Sequence, residues 1–417
     1  MDPTPRPPGP TERRDRTLLM GARTARGFGA GALSIVIALD LSESGYSSFA
    51  IGLVLGLALG GAAVWALAVP YLQDCWGRRV AFALSAGALA IGGVLLWVDL
   101  ANPAVLLTAL FLGGIVTGGA DVSPLGALEQ AELAGATEDR ARTSTFSLYN
   151  LLGYVGVAVG ALAAGPLQTV VGPTLVGFPS GPHDVTLLLY GLLGLGLLPT
   201  YQSLSSPRVR DRSSKRPSPL SPASRPTVYA LSALFTVDAF GGGLVVNSLV
   251  VYYFSVRFGS NVEVLGLLFF VSNLAAALSL VLAAPIARRI GLVNTMVFSH
   301  IPSNVFLILF VFAPTFPWAA TLWVARSSLS QMDVPTRQSY TQAVVPPEDR
   351  PAAAGYTTAA RSCQAFAAPV TGTFIAAGGP WIAAPFALAG ALKIGYDVAL
   401  YSRFHRLPPP EEAVHPA

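Results

Sequence analysis

The run IGLVLGLALGGAAVWALAV, residues 51–69, contains no charged residue and constrains the fold more than any other stretch. About 20 apolar residues in a helix span the hydrocarbon core of a bilayer. Similar runs recur along the chain, in which 53% of the residues are hydrophobic and 12% are charged, whereas soluble domains carry about 25% charged residues. Since backbone N–H and C=O groups in lipid must be paired internally, each run is predicted to be a helix. The chain is therefore predicted to be an all-α membrane protein, and its net charge of +4 gives no reason to expect a nucleic-acid partner.

Twelve apolar runs predict twelve transmembrane helices. Their approximate bounds are 22–41, 48–71, 80–99, 103–128, 143–165, 185–204, 227–254, 263–286, 292–312, 317–337, 352–376 and 381–402. The predicted domains are a disordered N-terminal tail, a six-helix bundle, a disordered linker, a second six-helix bundle and a C-terminal tail. These domains cover residues 1–21, 22–204, 205–226, 227–404 and 405–417 respectively. The first segment is Pro-rich and charged, which indicates a tail and not a signal peptide.

Basic residues predict the orientation, because cytoplasmic loops of membrane proteins are enriched in Lys and Arg. One side of the predicted membrane receives the N-terminal arginines, Arg78 and Arg79, the linker and the C-terminal arginines, whereas the other side receives Arg257. Both termini are therefore predicted to be cytoplasmic, in a multi-pass protein of the cell membrane. The strong preference for Arg over Lys suggests a GC-rich bacterial genome.

A weak internal repeat divides the chain at the linker. QDCWGRR (73–79) has a counterpart in ARRIG (287–291), GADVSP (119–124) in QMDVPT (331–336), and TEDRA (137–141) in PEDRP (347–351). All three offsets lie between 210 and 214 residues and the pairs occur in the same order. The two bundles are therefore predicted to be pseudo-symmetric copies of one six-helix unit.

The segment PYLQDCWGRR, residues 70–79, resembles the loop motif Gly-x-x-x-Asp-Arg-x-Gly-Arg-Arg/Lys of the major facilitator superfamily (MFS) of secondary transporters. Asp74, Gly77, Arg78 and Arg79 match the motif, whereas Pro70 and Cys75 replace its first Gly and first Arg. The resemblance implies alternating access between two bundles and a cytoplasmic gate at this loop, in which Asp74 pairs with the other bundle. Read from the residues alone, the two arginines could serve only to set the topology.

Ionisable and polar residues within the predicted spans are the candidates for the transport pathway, because such groups are costly in lipid and face the protein interior. The candidates for the substrate and proton pathway are Asp238, Arg326, Arg361, Asn150, Asn247 and Asn273. Asp238 paired with Arg326 or Arg361 would form either a permanent salt bridge or a pair that a proton or substrate breaks. Lys393 and Asp397 are four residues apart on one predicted helix and are expected to pair with each other.

Asp121 and Asp333 are equivalent positions of the repeat and are secondary candidates. Each could accept hydrogen bonds near the cytoplasmic face or take part in proton coupling.

No enzyme motif, Walker loop or Cys/His metal spacing occurs in the sequence, so we expect no enzyme activity and no cofactor. The combined interpretation is a monomeric secondary active transporter in the lipid bilayer that moves a small organic solute with protons. Export is favoured over the alternative, proton-coupled uptake of a sugar or other metabolite. A non-transporting receptor or scaffold is a distant third possibility.

Overall fold

The computed structural model describes residues 9–113, 123–136, 139–172, 184–205 and 220–407, and every structural statement below refers to them. The predicted all-helical fold class is confirmed. The helices are α1 (Pro10–Glu43), α2 (Ser48–Trp76), α3 (Arg78–Val98), α4 (Pro103–Gly113), α5 (Pro124–Ala136), α6 (Asp139–Pro166), α7 (Asp184–Gln202), α8 (Arg225–Gly243), α9 (Asn247–Phe258), α10 (Val262–Ile290), α11 (Leu292–Val311), α12 (Phe316–Ser327), α13 (Asp333–Ala343), α14 (Arg350–Arg361), α15 (Ala368–Ala377) and α16 (Ala384–Phe404).

These helices correspond to the twelve predicted spans. In the described ranges, nine segments are long and apolar enough to cross a membrane. The fourth span contains α4 and α5 and includes residues 114–122, which lie outside the described ranges, as does the candidate Asp121. The tenth and eleventh spans are each made of two shorter helices, α12 with α13 and α14 with α15.

Helix α1 begins at Pro10, earlier than the predicted start at residue 22. Glu12 accepts a 3.1 Å hydrogen bond from the Gly9 backbone N–H, which caps the helix. Asp15 accepts hydrogen bonds from the Ser205 N–H and hydroxyl at 3.1–3.3 Å. The charges that predicted a disordered tail instead hold this part of α1 against the end of α7, and the rest of the predicted tail lies outside the described residues. Most of the predicted linker (206–219) and C-terminal tail (408–417) is outside them too.

Gly77 and Gly291 occupy equivalent places in the two halves. Gly77 ends α2 with a φ of 84°, and Gly291 ends α10 with a φ of 86°. Only Gly adopts this left-handed backbone region without strain. The next helix begins at the following residue in both cases, so the same tight turn occurs at equivalent positions of the two halves.

The N-terminal half is held together by close crossings at small residues. Gly27 and Gly31 on α1 face Gly153 and Val157 on α6, and a Cβ on Gly27 would lie 2.5 Å from the Gly153 carbonyl oxygen. Gly160 on α6 packs directly on the Phe28 backbone. Small residues at such crossings let two membrane helices approach until their backbones touch.

The side of the molecule that holds the first and last described residues, Gly9 and Leu407, is here called the terminal side. The opposite side is called the far side, and the two halves contact each other there. At the far side, Gly52 on α2 packs against α15, since its Cβ would lie 2.6 Å from the Ala368 carbonyl oxygen. Gly266 on α10 packs similarly against Ala161 on α6. In this conformation the far side is therefore closed by backbone-to-backbone contact between the halves.

Three spans of the C-terminal half are interrupted near their middles. The seventh is broken between α8 and α9, the tenth between α12 and α13, and the eleventh by a 3-10 turn at Ser362–Phe366. Non-helical backbone at membrane depth is tolerated where it is buried in protein or lines a water-filled cavity. Broken helices in transporters commonly surround the substrate site, so these interruptions show where to look for a site.

Candidate functional site

Asp238 on α8 is the centre of a buried group of charges in the C-terminal half. Its side chain is almost inaccessible, with 3% of the residue's surface exposed. Lys393 Nζ lies 2.6 Å from Oδ1, while Arg337 Nη1 and Arg361 Nη1 lie 3.2 Å and 3.1 Å from Oδ2. His300 Nε2 lies 3.9 Å from Oδ1. Four spans other than its own therefore contribute a basic group to one carboxylate.

The sequence around Asp238 explains how Lys393 reaches it. Gly241 follows Asp238 by three residues, so both face the same side of α8. A Cβ on Gly241 would lie 3.0 Å from Lys393 Cγ. The absence of a side chain at Gly241 thus leaves room for the aliphatic stem of Lys393 as it crosses from α16.

Two further carboxylates complete the group. Arg337 Nη1 lies 2.6 Å from Asp333 Oδ2, one turn earlier on α13. His300 Nδ1 on α11 lies 2.9 Å and 3.0 Å from the two carboxylate oxygens of Asp397 on α16. We call the whole set the charge network, and its members are Asp238, Asp333, Asp397, Arg337, Arg361, Lys393 and His300.

The network is electrically balanced when His300 is neutral, since three carboxylates face two arginines and one lysine. Buried charges are tolerated when they are paired and hydrogen-bonded in this way. A proton that enters the network must therefore either weaken an existing ion pair or charge His300. Arg361 is the network member that is accessible from outside the network. Its side chain is 34% exposed, whereas the other six residues are buried.

The N-terminal half holds a smaller buried pair. Arg26 on α1 forms an ion pair with Glu129 on α5. Glu129 also accepts hydrogen bonds from the Tyr149 and Tyr201 hydroxyls at 2.6 Å and 2.5 Å. Four helices of this half are thereby joined through one carboxylate.

Tyr154 on α6 connects the two halves at the middle of their interface. Its hydroxyl donates a 2.7 Å hydrogen bond to Oε1 of Gln331, which lies in the break between α12 and α13. Arg23, Arg326 and Arg361 all lie within electrostatic range of this hydroxyl. The Arg23 guanidinium packs on Gly153, which precedes Tyr154, so the interface at this depth is basic and polar.

Of the two partners predicted for Asp238, Arg361 contacts it and Arg326 does not. The Arg326 guanidinium lies 4.7 Å from the centre of the Trp323 ring instead. The predicted pairing of Lys393 with Asp397 is wrong. Although they lie one turn apart on α16, Lys393 binds Asp238 and Asp397 binds His300. Their side chains reach different neighbouring helices, and sequence spacing does not show which contact is made.

In the described residues, no hydrogen bond joins an asparagine candidate to the charge network. Asn273 on α10 is buried and donates a 2.7 Å hydrogen bond to the Phe269 carbonyl of its own helix. Asn150 on α6 is half-buried and lies four residues before Tyr154. Asn247 is half-buried at the first residue of α9, next to the break of the seventh span. Asp333, a secondary candidate, is a network member.

The predicted cytoplasmic gate lies at the terminal side. Arg78 is buried and donates a 2.9 Å hydrogen bond to Glu132 on α5 and one of 3.3 Å to the Leu204 carbonyl. Arg79 is exposed, and so is Asp74. In the described residues, no hydrogen bond or ion pair joins Asp74 to the C-terminal half. Arg78 therefore ties helices of its own half together, and the predicted contact of Asp74 is not made in this conformation.

Sequence reasoning did not single out Arg337, His300, Arg26 or Glu129. Two signals were available. Arg337 follows Asp333 by four residues, the spacing of a helical ion pair, and Arg26 lies within the first predicted span. Both were overlooked because each lies near a predicted span end, where basic residues normally mark the membrane boundary.

Two packed sets of six spans, with broken helices around buried charges, are typical of polytopic secondary transporters. The family model "Major Facilitator Superfamily" matches residues 231–417. The match covers the C-terminal half of the chain, which is therefore similar to this superfamily of transporters. An uncharacterised membrane protein of Saccharomyces cerevisiae, YJR124C, is 24% identical over 423 residues, covering 94% of each chain.

Solved transporter structures have the same fold along nearly the whole chain. The nucleoside transporter NupG matches with a TM-score of 0.70 at 14% identity, covering 94% of this chain and 99% of that one. A D-xylose-proton symporter matches with a TM-score of 0.71 at 14% identity, covering 94% and 97%. The human organic anion transporter MFSD10 (TETRAN) matches with a TM-score of 0.66 at 15% identity, covering 94% and 100%. These similarities establish the fold of both halves.

Proposed function

We propose that the protein moves a small organic solute across the cytoplasmic membrane by alternating access, coupled to protons and in the direction of export. The charge network carries this proposal. It places a carboxylate in the membrane interior, bound to an arginine that reaches the interface between the halves. Intramembrane carboxylates held in this way serve as proton relays in pumps and transporters.

Asp238 is the proposed coupling group. When Asp238 takes up a proton, its attraction for Lys393, Arg337 and Arg361 weakens. These three cations lie on α16, α13 and α14, so protonation changes the forces among four spans at once. Protonation would therefore change the packing of the C-terminal half. Because this half forms part of the far-side contact, the change would favour opening or closing of the far side.

The proposed orientation has both termini in the cytoplasm, so the closed far side is the external side. Reporter fusions after residues 100 and 215 should report the periplasm and the cytoplasm respectively. The opposite pair of results would reverse the orientation and with it the direction assigned to the closed side.

Transport is contained within one chain in this proposal, and the protein is expected to act as a monomer in the bilayer without a cofactor or nucleic-acid partner. A receptor or scaffold would have no use for six buried ionisable groups, which cost free energy in a membrane. Uptake of a sugar or other metabolite is the alternative direction. A protein of the same fold, a D-xylose-proton symporter, combines solute and proton movement, which is consistent with proton coupling in either direction.

The test is proton movement driven by solute. Purified protein is screened with organic solutes by thermal stabilisation, and the stabilising solutes are then added to proteoliposomes that contain a pH-sensitive dye. We expect solute to dissipate an imposed proton gradient through the parent protein. Asp238→Asn should stop this coupled movement while solute binding in detergent remains, and Asp238→Glu should retain part of it.

Asp99→Asn is the matched control, since Asp99 lies at the end of α3 and its Oδ1 accepts a 3.1 Å hydrogen bond from the Asn102 N–H that an amide oxygen can also accept. If Asp238→Asn still concentrates solute against its gradient, Asp238 is not the coupling group. If Asp238→Asn does not fold, Asp238→Asn combined with Lys393→Met removes one cation and tests the same point.

A further inference from the structure

We infer that the transported solute is an organic anion, and that Arg326 and Arg361 bind its carboxylate, sulfonate or phosphate beside Tyr154 at the interface between the halves. This inference rests on the proposed function, because it names the substrate class of the same transporter. Three features of the interface support it: the place of the two arginines in broken helices, the absence of a carboxylate beside Arg326 in the described part of the chain, and the exposure of Arg361.

Arg326 and Arg361 occupy similar places in their spans. Arg326 lies in the last turn of α12 and Arg361 in the last turn of α14, where the tenth and eleventh spans are broken. The carbonyl ends of helices favour a cation. The breaks thus hold two guanidinium groups near the middle of the membrane, both within electrostatic range of Tyr154 on the opposite half.

Arg326 has no counter-charge among the described residues. In the described part of the chain, no carboxylate lies within 4.0 Å of its guanidinium, and its buried Nε has no hydrogen-bond acceptor. Arg337, which follows it in the same span, contacts two carboxylates. The Trp323 ring beneath Arg326 holds the cation in place, but a cation–π contact at about 0.5–2 kcal/mol does not neutralise it.

An intramembrane arginine normally pairs with an acidic group. Since the charge network is balanced without Arg326, this residue adds a positive charge to the interface. A guanidinium presents five donors in a planar fork that fits carboxylate and phosphate oxygens. An anionic solute would supply the acceptor and the charge that Arg326 lacks.

Arg361 connects this site to the charge network. One of its nitrogens binds Asp238, while 34% of the side chain is exposed, so the remaining N–H groups are open to a solute. An anion bound there competes with Asp238 for the same guanidinium. Solute binding would weaken the Asp238–Arg361 pair and thereby link the solute site to the proposed coupling group.

The experiment compares solutes that differ in charge but little in shape. Full-length protein in detergent is titrated with indole-3-acetate, indole-3-acetamide and tryptamine, with benzenesulfonate and benzenesulfonamide, and with glucose 6-phosphate and glucose. Stabilisation against thermal unfolding gives the apparent affinity. We expect at least one anion to stabilise the protein where its uncharged counterpart does not.

Variants assign the effect to the site. Arg326→Gln should weaken binding of that anion roughly 10- to 100-fold, the effect of losing charge-assisted hydrogen bonds, and Arg326→Lys should lie between it and the parent. Arg289→Gln, at an exposed arginine near the end of α10, is the matched control and should bind like the parent. Because Arg326 has no acidic partner in the described residues, its replacement is not expected to prevent folding, and the unfolding temperature without solute checks this.

The inference is overturned if uncharged or cationic members stabilise as well as the anions, if Arg326→Gln binds the anion like the parent, or if no anion stabilises the protein. These outcomes are separate from the flux test. Anion-selective binding that depends on Arg326, with no proton-coupled flux, would refute the proposed coupling and leave the substrate class standing. Proton-coupled flux of a neutral solute would refute the anionic substrate class and leave the proposed coupling standing.

Discussion

Lys393 on α16 donates a 2.6 Å hydrogen bond to Asp238 on α8 inside the membrane. The two residues are 155 positions apart in the chain and belong to the seventh and twelfth spans. Both are buried, so neither can exchange its partner for water. This contact makes the twelfth span part of the charge network.

Lys393→Met should destabilise the protein by about 3 kcal/mol or more, because removing one partner of a buried ion pair leaves a buried charge under-compensated. Asp238→Asn together with Lys393→Met should recover much of this loss, since the neutral pair has similar volume and no charge. Thermal unfolding of the single and double variants in detergent measures both effects. Additive losses in the double variant would show that the two residues do not stabilise each other.

Gly160→Val should destabilise the contact between α1 and α6. Gly160 packs on the Phe28 backbone, so an added side chain must push the helices apart, and overpacking a close contact typically costs about 1–3 kcal/mol. Gly196→Val on α7 is the control, because no atom lies within 4 Å of a Cβ at that position. The measurement is the yield and unfolding temperature of each purified variant. Equal behaviour of the two variants would contradict the assigned packing.

Gly372→Val should hold the far side open. Gly372 on α15 contacts Gly52 on α2, and its Cβ would lie 3.0 Å from the Gly52 Cα. The readout is maleimide labelling of Ser48→Cys, in a background where Cys75 and Cys363 are replaced by alanine. Ser48 makes a 3.0 Å hydroxyl contact with Tyr252 across the same interface. Labelling should be faster with Gly372→Val than with Gly87→Val. Gly87 is the control because a Cβ at this position would meet no atom within 4 Å. Equal labelling rates would show that the contact between Gly372 and Gly52 does not close the far side.

Asp74→Asn should lower transport without lowering the unfolding temperature. Asp74 is exposed and bound to no residue of the C-terminal half in the described structure, so we expect its predicted pairing to form in another conformation of the transport cycle. Asp74→Glu keeps the charge and should retain part of the activity. Flux in proteoliposomes and thermal unfolding in detergent separate the two effects. If Asp74→Asn transports like the parent protein, the loop only sets the topology.

The sequence predicted the spans but not the breaks within them. A hydrophobic run shows that a segment crosses the membrane, but it does not show that the tenth predicted span consists of two separate helices, α12 and α13. The break at residues 328–332 depends on contacts such as the 3.0 Å hydrogen bond from the Ser303 hydroxyl to the Arg326 carbonyl. Such contacts come from neighbouring spans, and hydropathy does not report them.

The all-helical membrane fold, the twelve spans and the two halves could be predicted from the amino-acid sequence, because they follow from hydropathy, helix length and the internal repeat. The partners of the buried charges could not be predicted in the same way and became visible in the folded structure. Asp238 could have paired with Arg326 by depth in the membrane, yet it binds Lys393, Arg337 and Arg361. Helix rotation and crossing determine which side chains meet. These depend on packing among spans that lie far apart in the chain, as at Gly241 and Lys393.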